Sequence, residues 1–382
     1  MEETTLIEIN NTVLVWARES LAINRNQVSE RTSISAKRLI QLEDGEKLPT
    51  LHELKELSKL YKRTIATLLL SKPPKEKPLP SDRRTIDSKE LGNFHEKTIM
   101  AVRKARALAQ SFVELKKELN EDIPSLNFIA SIEESAQSVA VKVRNSLKLE
   151  YIREITNTNQ ALEIYIQRVE SLGIGVYQLM LPQDEIRGFT ILDESIPIIG
   201  IKRNDSPSAK TFTLFHELAH VLLNKDGLCD LSQKTNIEIE KWCNAFSAEI
   251  LIPVAELLEM ESVVEYKRQG NKIWLKKDLI ALAGYFHVGP LAILRSLLEN
   301  QLTTYAYYNE RHQEWNNKPQ FGRSKNPEGR NIPKEAIREK GRNYISLAFT
   351  AFDQNRIDLK DLSDFLGIKL NYITKTRQLL NS

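Results

Sequence analysis

The residues best suited to chemistry lie in one short stretch, His216-Glu217-Leu218-Ala219-His220. On a helix, side chains four positions apart lie on one face, so His216 and His220 can direct two imidazole nitrogens at one ion. Zinc accepts such nitrogens at about 2.0–2.1 Å in a tetrahedral site. Glu217 lies beside that ion, where its carboxylate can take a proton from a water activated by the metal. The pattern H-E-x-x-H therefore predicts a metal centre with a general base.

The element that carries this motif is predicted to be a buried helix. Ser206 can act as its N-cap, with Pro207 at the first helical position, and apolar side chains flank the motif on both sides. A chance H-E-x-x-H would rarely fall on a capped, apolar helix. We therefore favour a metal site over coincidence.

Two histidines are one ligand short of the three protein ligands that are typical of catalytic zinc. The next predicted helix, for which Asn236 is a suitable cap, offers three glutamates, Glu238, Glu240 and Glu249. At about 100° per residue, Glu238 and Glu249 face away from Glu240, and we interpret both as solvated surface charge. Glu240 shares its face with Asn244, whose amide can hold the second ring nitrogen of a ligand histidine or orient the glutamate.

The glutamate segment carries a second motif, E-K-W-C-N-A-F-S-A-E-I-L-I-P, from Glu240 to Pro253. Together with the H-E-x-x-H motif in this order and spacing, it resembles the ImmA/IrrE family of metallopeptidases over roughly residues 170–300. The resemblance implies a zincin-like domain with a small sheet, and a strand near 186–192 that binds substrate as an added β-strand. The implied cofactor is Zn²⁺, with Mn²⁺ or Fe²⁺ as alternatives.

The resemblance also assigns roles to individual residues. It implies that His216, His220 and Glu240 bind the metal and that Glu217 is the general base. It also implies that Asn244 orients a metal ligand through a hydrogen bond. The implied enzyme is a zinc-dependent metalloendopeptidase. Its implied substrate is a protein, a helix-turn-helix repressor whose cleavage relieves repression.

The N-terminal segment 27–50 predicts two short helices, one starting near Arg25 and the other near Ser35. It resembles the helix-turn-helix of Cro/C1-type (XRE) repressors, in which the second helix enters the major groove. The resemblance implies DNA as a partner, often bound by a homodimer, with contacts from Gln27, Ser35, Lys37, Arg38 and Gln41. Residues 1–70 hold ten Lys/Arg and ten Asp/Glu, however, whereas a strong DNA-binding domain is usually basic. A helical protein-interaction module is the alternative.

The composition places the chain in a broad class. Hydrophobic residues make up 41% of the 382 positions and charged residues 27%, as in ordinary globular proteins. Two cysteines, Cys229 and Cys243, are too few for a disulfide framework. Neither a signal peptide nor a long apolar stretch is apparent, so we expect a cytoplasmic protein with no membrane partner.

The pattern along the chain predicts an α+β, mostly helical fold with an N-terminal five-helix bundle. Three β-rich stretches from 174 to 203 predict one small sheet, and residues 309–333 predict an irregular stretch followed by two helical patterns. We expect five segments: a helix-turn-helix domain at 1–71, a linker at 72–90, a helical region at 91–170, the zincin-like domain at 171–300, and a C-terminal region at 301–382.

Two functions are consistent with these features. The first is a DNA-binding regulator fused to a zinc metallopeptidase. The second is a non-enzymatic repressor or antitoxin whose zincin-like domain senses a ligand or binds a partner. Glu217 favours the first, because a purely structural metal site would not need that carboxylate.

Overall fold

The structure is a computed structural model of the 382-residue chain, and it describes residues 6–77, 94–124, 126, 128–182, 186–192, 194–223, 233–316 and 331–381. The chain divides into two compact units. The first comprises Met1–Arg103 with Pro182–Glu185, and the second comprises Lys104–Leu181 and Ile186–Ser382. Most of the predicted linker, residues 78–90, lies outside the described residues, as does Cys229.

Five helices fill the beginning of the first unit: α1 (Asn11–Glu19), α2 (Arg25–Arg31), α3 (Ala36–Glu43), α4 (Leu51–Tyr61) and α5 (Ile65–Leu68). Each begins after a polar residue whose side chain accepts a backbone N–H of the first turn, and these caps are Asn10, Asn24, Ser35, Thr50 and Thr64. The capping box predicted at Thr50 and Glu53 is present. Apolar side chains from the helices meet in one core, which includes Leu14, Val28, Leu39, Leu54 and Leu57.

A helical region follows, as the sequence predicts. It consists of α6 (Glu96–Glu118), α7 (Ala136–Ser146), a 3-10 helix (Leu149–Glu154) and α8 (Thr158–Glu170). Apolar faces of α7 and α8 enter the main core of the second unit. Helix α7 packs against the later helix that carries the third candidate ligand, and α8 packs against the helix that carries the H-E-x-x-H motif.

The predicted sheet is confirmed and has three strands, β1 (Gly175–Leu179), β2 (Gly188–Ile191) and β3 (Ile198–Lys202). Their order is β1-β3-β2, with β3 parallel to β1 and antiparallel to β2. All five residues of β3 are buried, as expected for a central strand. Strand β2 therefore lies at an edge of the sheet that the described residues form.

Two long helices follow the sheet, α9 (Pro207–Leu222) and α10 (Gln233–Leu251). Helix α9 packs against α8, α10, β2 and β3, and most of its residues are buried. Helix α10 begins at Gln233, so the predicted cap, Asn236, lies inside the helix instead of at its start. Shielded on several sides, α9 can place polar side chains where solvent does not reach them.

The rest of the described chain is helical. It contains α11 (Val254–Glu259), α12 (Glu261–Arg268), α13 (Lys276–Phe286), α14 (Pro290–Glu299), α15 (Tyr305–Asn316), α16 (Ile332–Lys340), α17 (Arg342–Asp353), α18 (Leu359–Leu366), a 3-10 helix (Leu370–Tyr372) and α19 (Ile373–Asn381). The irregular stretch predicted from residue 309 is wrong up to 316, because α15 runs through it. The region after 331 holds four α-helices where two helical patterns were predicted.

No single helix among the described residues is long and apolar enough to span a membrane. Helices α13 and α14 meet the length and composition criteria only as a pair, and that pair is bent by 98°.

Candidate metal centre

The H-E-x-x-H motif lies on α9, which begins where the sequence predicts. The Ser206 side chain accepts the backbone N–H of Ala209, and Pro207 occupies the first helical position. His216 and His220 follow on successive turns. The two imidazole rings meet edge to face, with their centroids 4.9 Å apart.

Three side chains direct donor atoms at one point. The Nε2 atoms of His216 and His220 lie 3.1 Å apart. On α10, Oε2 of Glu240 lies 3.2 Å from Nε2 of His216, and Oε1 of the same carboxylate lies 3.2 Å from Nε2 of His220. In a tetrahedral zinc site with bonds of about 2.0–2.1 Å, adjacent ligand atoms are about 3.3 Å apart. Two imidazoles and one carboxylate at this spacing therefore fit the zinc that the motif implies.

The burial of these three side chains and the charge of Glu240 also suit a metal site. The His216 side chain is fully buried, while the side chains of His220 and Glu240 are 12% and 21% exposed. Burial raises the pKa of the Glu240 carboxyl, but its contacts with His216 and His220 outweigh burial and hold the pKa well below its ordinary value. The carboxylate is therefore ionised at neutral pH, the form in which it can bind a cation.

Asn244 lies behind the first histidine, one helical turn after Glu240. Its Oδ1 is 3.1 Å from the Nδ1 of His216. An amide oxygen is an acceptor, so Nδ1 carries the proton and the Nε2 lone pair is left free for a metal. Of the two roles that the sequence offered for Asn244, this geometry matches the first, holding the second ring nitrogen of a histidine.

Cys243 occupies the equivalent place behind the second histidine. Its buried Sγ lies 3.6 Å from the Nδ1 of His220. His216, His220 and Cys243 also form a group whose donor atoms lie within 4.8 Å of one another, so a His-His-Cys site is the competing arrangement. We favour Glu240 as the third donor, because it meets the Nε2 atoms of both histidines whereas Cys243 faces the opposite nitrogen of His220.

Glu217 is 97% buried and is held by the edge strand. The Thr190 hydroxyl on β2 lies 2.8 Å from Glu217 Oε2 and 3.2 Å from the Glu217 backbone oxygen, and it can donate to either. The strand lies close to the helix at this point, since a Cβ at Gly188 would be 2.5 Å from Thr213 Cγ2 and 3.0 Å from Glu217 Oε1. Glycine at 188 thus lets β2 pack against the turn of α9 that carries the carboxylate.

The two glutamates that we interpreted as surface charge lie outside the cluster. Glu238 is exposed. Glu249 is only half-buried, and its carboxylate accepts the backbone N–H of Val254 at the start of α11. It caps a helix and is therefore not simply solvated charge.

Two neighbours of the site were not predicted from the sequence. Thr190 falls in a predicted strand, but no local pattern indicates that its hydroxyl reaches Glu217. The sequence favours a packing role for Cys243 over a metal-bound thiol, although Cys243 follows Glu240 by three positions. That helical spacing is a signal that could have placed its thiol near the site.

The five predicted DNA-contact residues lie around the α2–α3 turn. Lys37 and Ser35 are exposed, and Gln41 is half-buried. The Ser35 hydroxyl accepts the backbone N–H of Arg38 as the cap of α3. The Gln27 amide oxygen accepts the backbone N–H of Asn24 in a capping box.

Arg38 is already engaged within the protein. Its guanidinium donates to the two carboxylate oxygens of Glu53 at 2.7 and 3.0 Å and to the backbone oxygen of Leu48 at 3.0 Å. This hydrogen bond lowers the pKa of Glu53, which is partly buried. Among the predicted contacts, Lys37 is thus the cation that the structure leaves exposed.

Comparison with known proteins bears on the part of the chain that carries the cluster. No curated protein matches the chain significantly. Residues 169–298 match the Peptidase_M78 family model, described as the IrrE N-terminal-like domain, and this range spans the sheet, α9 and α10. This part of the chain is therefore similar to the metallopeptidases of the ImmA/IrrE type.

Proposed function

We propose that the chain is a zinc-dependent endopeptidase that acts on a protein substrate in the cytoplasm. One observation carries the proposal: two imidazoles and a carboxylate converge at the spacing of a metal site, and a second carboxylate is held beside them. His216, His220 and Glu240 would hold the metal. Zinc bound there would supply a Lewis acid that polarises the scissile carbonyl and lowers the pKa of the attacking water.

The chain's own residues carry the remaining steps. Glu217 accepts a proton from the attacking water and returns it to the amine that leaves. The Thr190 hydroxyl fixes the orientation of this carboxylate. Asn244 fixes the ring of His216, so that the lone pair of Nε2 points into the site.

Strand β2 supports a proposal for how a peptide binds. It lies at an edge of the described sheet, and Thr190 within it contacts Glu217. An extended substrate that pairs with β2 would run past the general base, and backbone hydrogen bonds would hold it in register. A flexible or extended segment of a protein is therefore the expected substrate, and we propose a helix-turn-helix repressor.

The first unit would bring the peptidase to DNA. We propose that α2 and α3 dock on duplex DNA with α3 in the major groove. Lys37, Ser35 and Gln41 would lie at the groove, and Gln27 at a phosphate. Arg38 would contribute less, because Glu53 and Leu48 already take its donors.

The test measures the new protein N-termini that peptide-bond cleavage creates in cells. Cells would produce the wild type, Glu217→Gln or Glu238→Gln, and mass spectrometry would identify N-termini created by cleavage. Glu238 is an exposed glutamate on α10, which makes it a matched control. We expect one set of new N-termini with the wild type and Glu238→Gln, within a helix-turn-helix repressor, and its loss with Glu217→Gln.

Two outcomes would overturn parts of the proposal. If the wild type and Glu217→Gln give the same N-termini, the chain is not the peptidase, and the non-enzymatic regulator is favoured. If cleavage depends on Glu217 but falls in an unrelated protein, the enzyme stands and the repressor substrate is wrong.

A further inference from the structure

The spacing of seven small and apolar residues in α2, α3 and the turn between them occurs again near the C-terminus. In the first unit it comprises Val28, Ser29, Thr32, Ser33, Ile34, Leu39 and Leu42. In α18 to α19 the same spacing gives Leu362, Ser363, Leu366, Gly367, Ile368, Ile373 and Thr376. The apolar members of both sets are buried, as is Thr376. The pair α2 and α3 and the C-terminal pair α18 and α19 therefore bury apolar side chains at the same spacing across a short turn.

The C-terminal pair has the local features of a helix-turn-helix. Helix α18 is followed by Gly367, which has a φ of 62° and whose backbone N–H bonds to carbonyl oxygens of the last turn. A turn of three residues leads to the 3-10 helix and α19. Turns of three or four residues, often with glycine, join the two helices of DNA-binding helix-turn-helix motifs.

Helix α17 supports the pair. The Tyr344 hydroxyl donates to the backbone oxygen of Phe365, and Arg342 donates to that of Leu380. Arg377 pairs with Asp353 and lies over the Phe349 ring. These contacts hold α18 and α19 from one side.

The opposite face of the second helix is exposed and polar. Its exposed polar residues include Lys369, Asn371, Thr374, Lys375 and Gln378, and the apolar Leu370 is exposed beside them. The sequence from Phe365 to Ser382 contains two lysines and one arginine but no acidic residue. The acids of the pair, Asp358, Asp361 and Asp364, belong to α18 and its cap, and the first two form a capping box. The face is thus complementary to phosphates, and its amides can read adenine edges.

Helices α13 and α14 show what the same spacing looks like without such a face. They carry Leu282, Ala283, Phe286, His287, Val288, Ile293 and Ser296, all buried, and cross at 98°. In α14, the position that corresponds to Lys375 is also an exposed cation, Arg295, but it pairs with Glu299 of the same helix, and α14 packs against α15. Leu294, which corresponds to Thr374, is fully buried. The spacing alone therefore indicates only that two helices pack together. The exposed polar face distinguishes the C-terminal pair from α13 and α14.

We propose that α18, the 3-10 helix and α19 form a second DNA-binding element, which takes duplex DNA. The helix from Leu370 to Asn381 would lie in the major groove, with Lys369 and Lys375 at phosphates and Asn371, Thr374 and Gln378 towards the bases. This element goes beyond the proposed function, because it does not depend on the peptidase site or on α3.

The test uses the full-length protein and a labelled duplex of mixed sequence, with binding followed by fluorescence anisotropy over a range of KCl concentrations. The test variant is Lys369→Glu/Lys375→Glu. The matched control is Lys272→Glu/Lys334→Glu, which changes the net charge equally at two exposed lysines outside α18, the 3-10 helix and α19. Lys37→Glu tests the first unit separately. Circular dichroism melts would show that each variant folds.

We expect the test variant to bind roughly tenfold to a hundredfold more weakly near 0.1 M salt, with a salt slope reduced by about 2, because two phosphate contacts are lost. The control should change binding far less. Equal weakening in both double variants, or in neither, would overturn the proposal. It would also be overturned if the wild type bound no duplex, or if Lys37→Glu alone abolished binding while the test variant bound normally. In that last case the N-terminal DNA contact would stand.

Discussion

A fully buried carboxylate in the first unit and a partly buried one in the second have different kinds of partner. In the first unit, Glu43 has a fully buried side chain, and its oxygens lie 2.7 Å from Nε of Arg18 and 2.7 Å from Nε of Arg25. In the second unit, Glu240 meets the imidazoles of His216 and His220. Arginine is always charged in proteins, whereas imidazole is neutral over much of the physiological range.

The difference separates a structural site from a functional one. At Glu43 the protein itself supplies the positive charge, so the group is balanced whatever the solution contains. At Glu240 the two imidazoles offer lone pairs, and a bound cation would supply a balancing charge. A partly buried carboxylate beside two imidazoles is therefore a better indicator of a metal site than burial alone.

The largest predicted effect follows from adding or removing the metal. Zinc should raise the melting temperature of the wild type, because a ligand at about 1,000 times its Kd stabilises a fold by about 4 kcal/mol. His216→Ala should remove this shift, since it deletes a donor, while His52→Ala, at an exposed histidine, should keep it. Thermal unfolding with and without zinc, together with metal analysis, provides the measurement.

A shift of equal size in wild type and His216→Ala would contradict the assignment of the site. Glu43→Gln offers a second check, because it should leave the zinc-dependent shift unchanged. If zinc also failed to stabilise that variant, the two carboxylates would not be independent.

The next largest effect is expected at Glu43, whose charge is balanced by arginines of the first unit. Glu43→Gln should destabilise the first unit by about 3–5 kcal/mol, since it leaves two arginines without a buried counter-charge. Glu46→Gln is the matched control, because Glu46 is exposed on the same segment. Denaturant unfolding followed by hydrogen exchange in α1 to α3 would report the change, and equal stabilities of the two variants would refute the structural role of Glu43.

The comparison also shows what sequence can and cannot predict. His216, His220 and Glu240 were predictable, because helical periodicity fixes which side chains share a face and the caps fix where α9 begins. Thr190 was not, since its contact with Glu217 depends on how β2 packs against α9. Helix α15 was missed because its sequence, YAYYNERHQEWN, is rich in polar residues and has a weak apolar stripe. Local patterns thus define elements, and contacts between elements need the fold.

A smaller effect, on zinc affinity, is expected at Asn244, whose amide contacts the ring of His216. Asn244→Ala should weaken zinc binding by about 10-fold to 100-fold, the usual result when the partner of a ligand histidine is removed. Lys241→Ala, one turn earlier and exposed, is the control. Competition with a chelating dye would measure both affinities. An unchanged affinity in Asn244→Ala would show that the His216 ring is held by its packing and not by the amide.

Another buried carboxylate predicts an effect that depends on pH and shows a different way to bury the group. Glu170, at the end of α8, accepts the backbone N–H of Asn343, and burial raises its pKa to about 8. The unfolded chain releases this proton near the ordinary value of 4.5, so the group makes folding less favourable as the pH rises from about 4.5 to 8.

Glu170→Gln removes the titrating group while keeping its shape. We expect its melting temperature, relative to wild type, to be a few degrees higher at pH 8 than at pH 5. Glu163→Gln, at a more exposed glutamate of the same helix, should show no such dependence on pH. A constant difference between Glu170→Gln and wild type at both pH values would show that Glu170 has the same pKa in the folded and unfolded chain.

The Thr190 hydroxyl lies within hydrogen-bond distance of both the backbone and the side chain of Glu217. One side chain thus links the strand proposed to align the peptide to the residue proposed to move the proton. The rotational entropy of the general base is lost once, when the chain folds, and not again at each turnover. Any shift of β2 would also move the Glu217 carboxylate. The position of the bound peptide and the position of the general base would therefore change together.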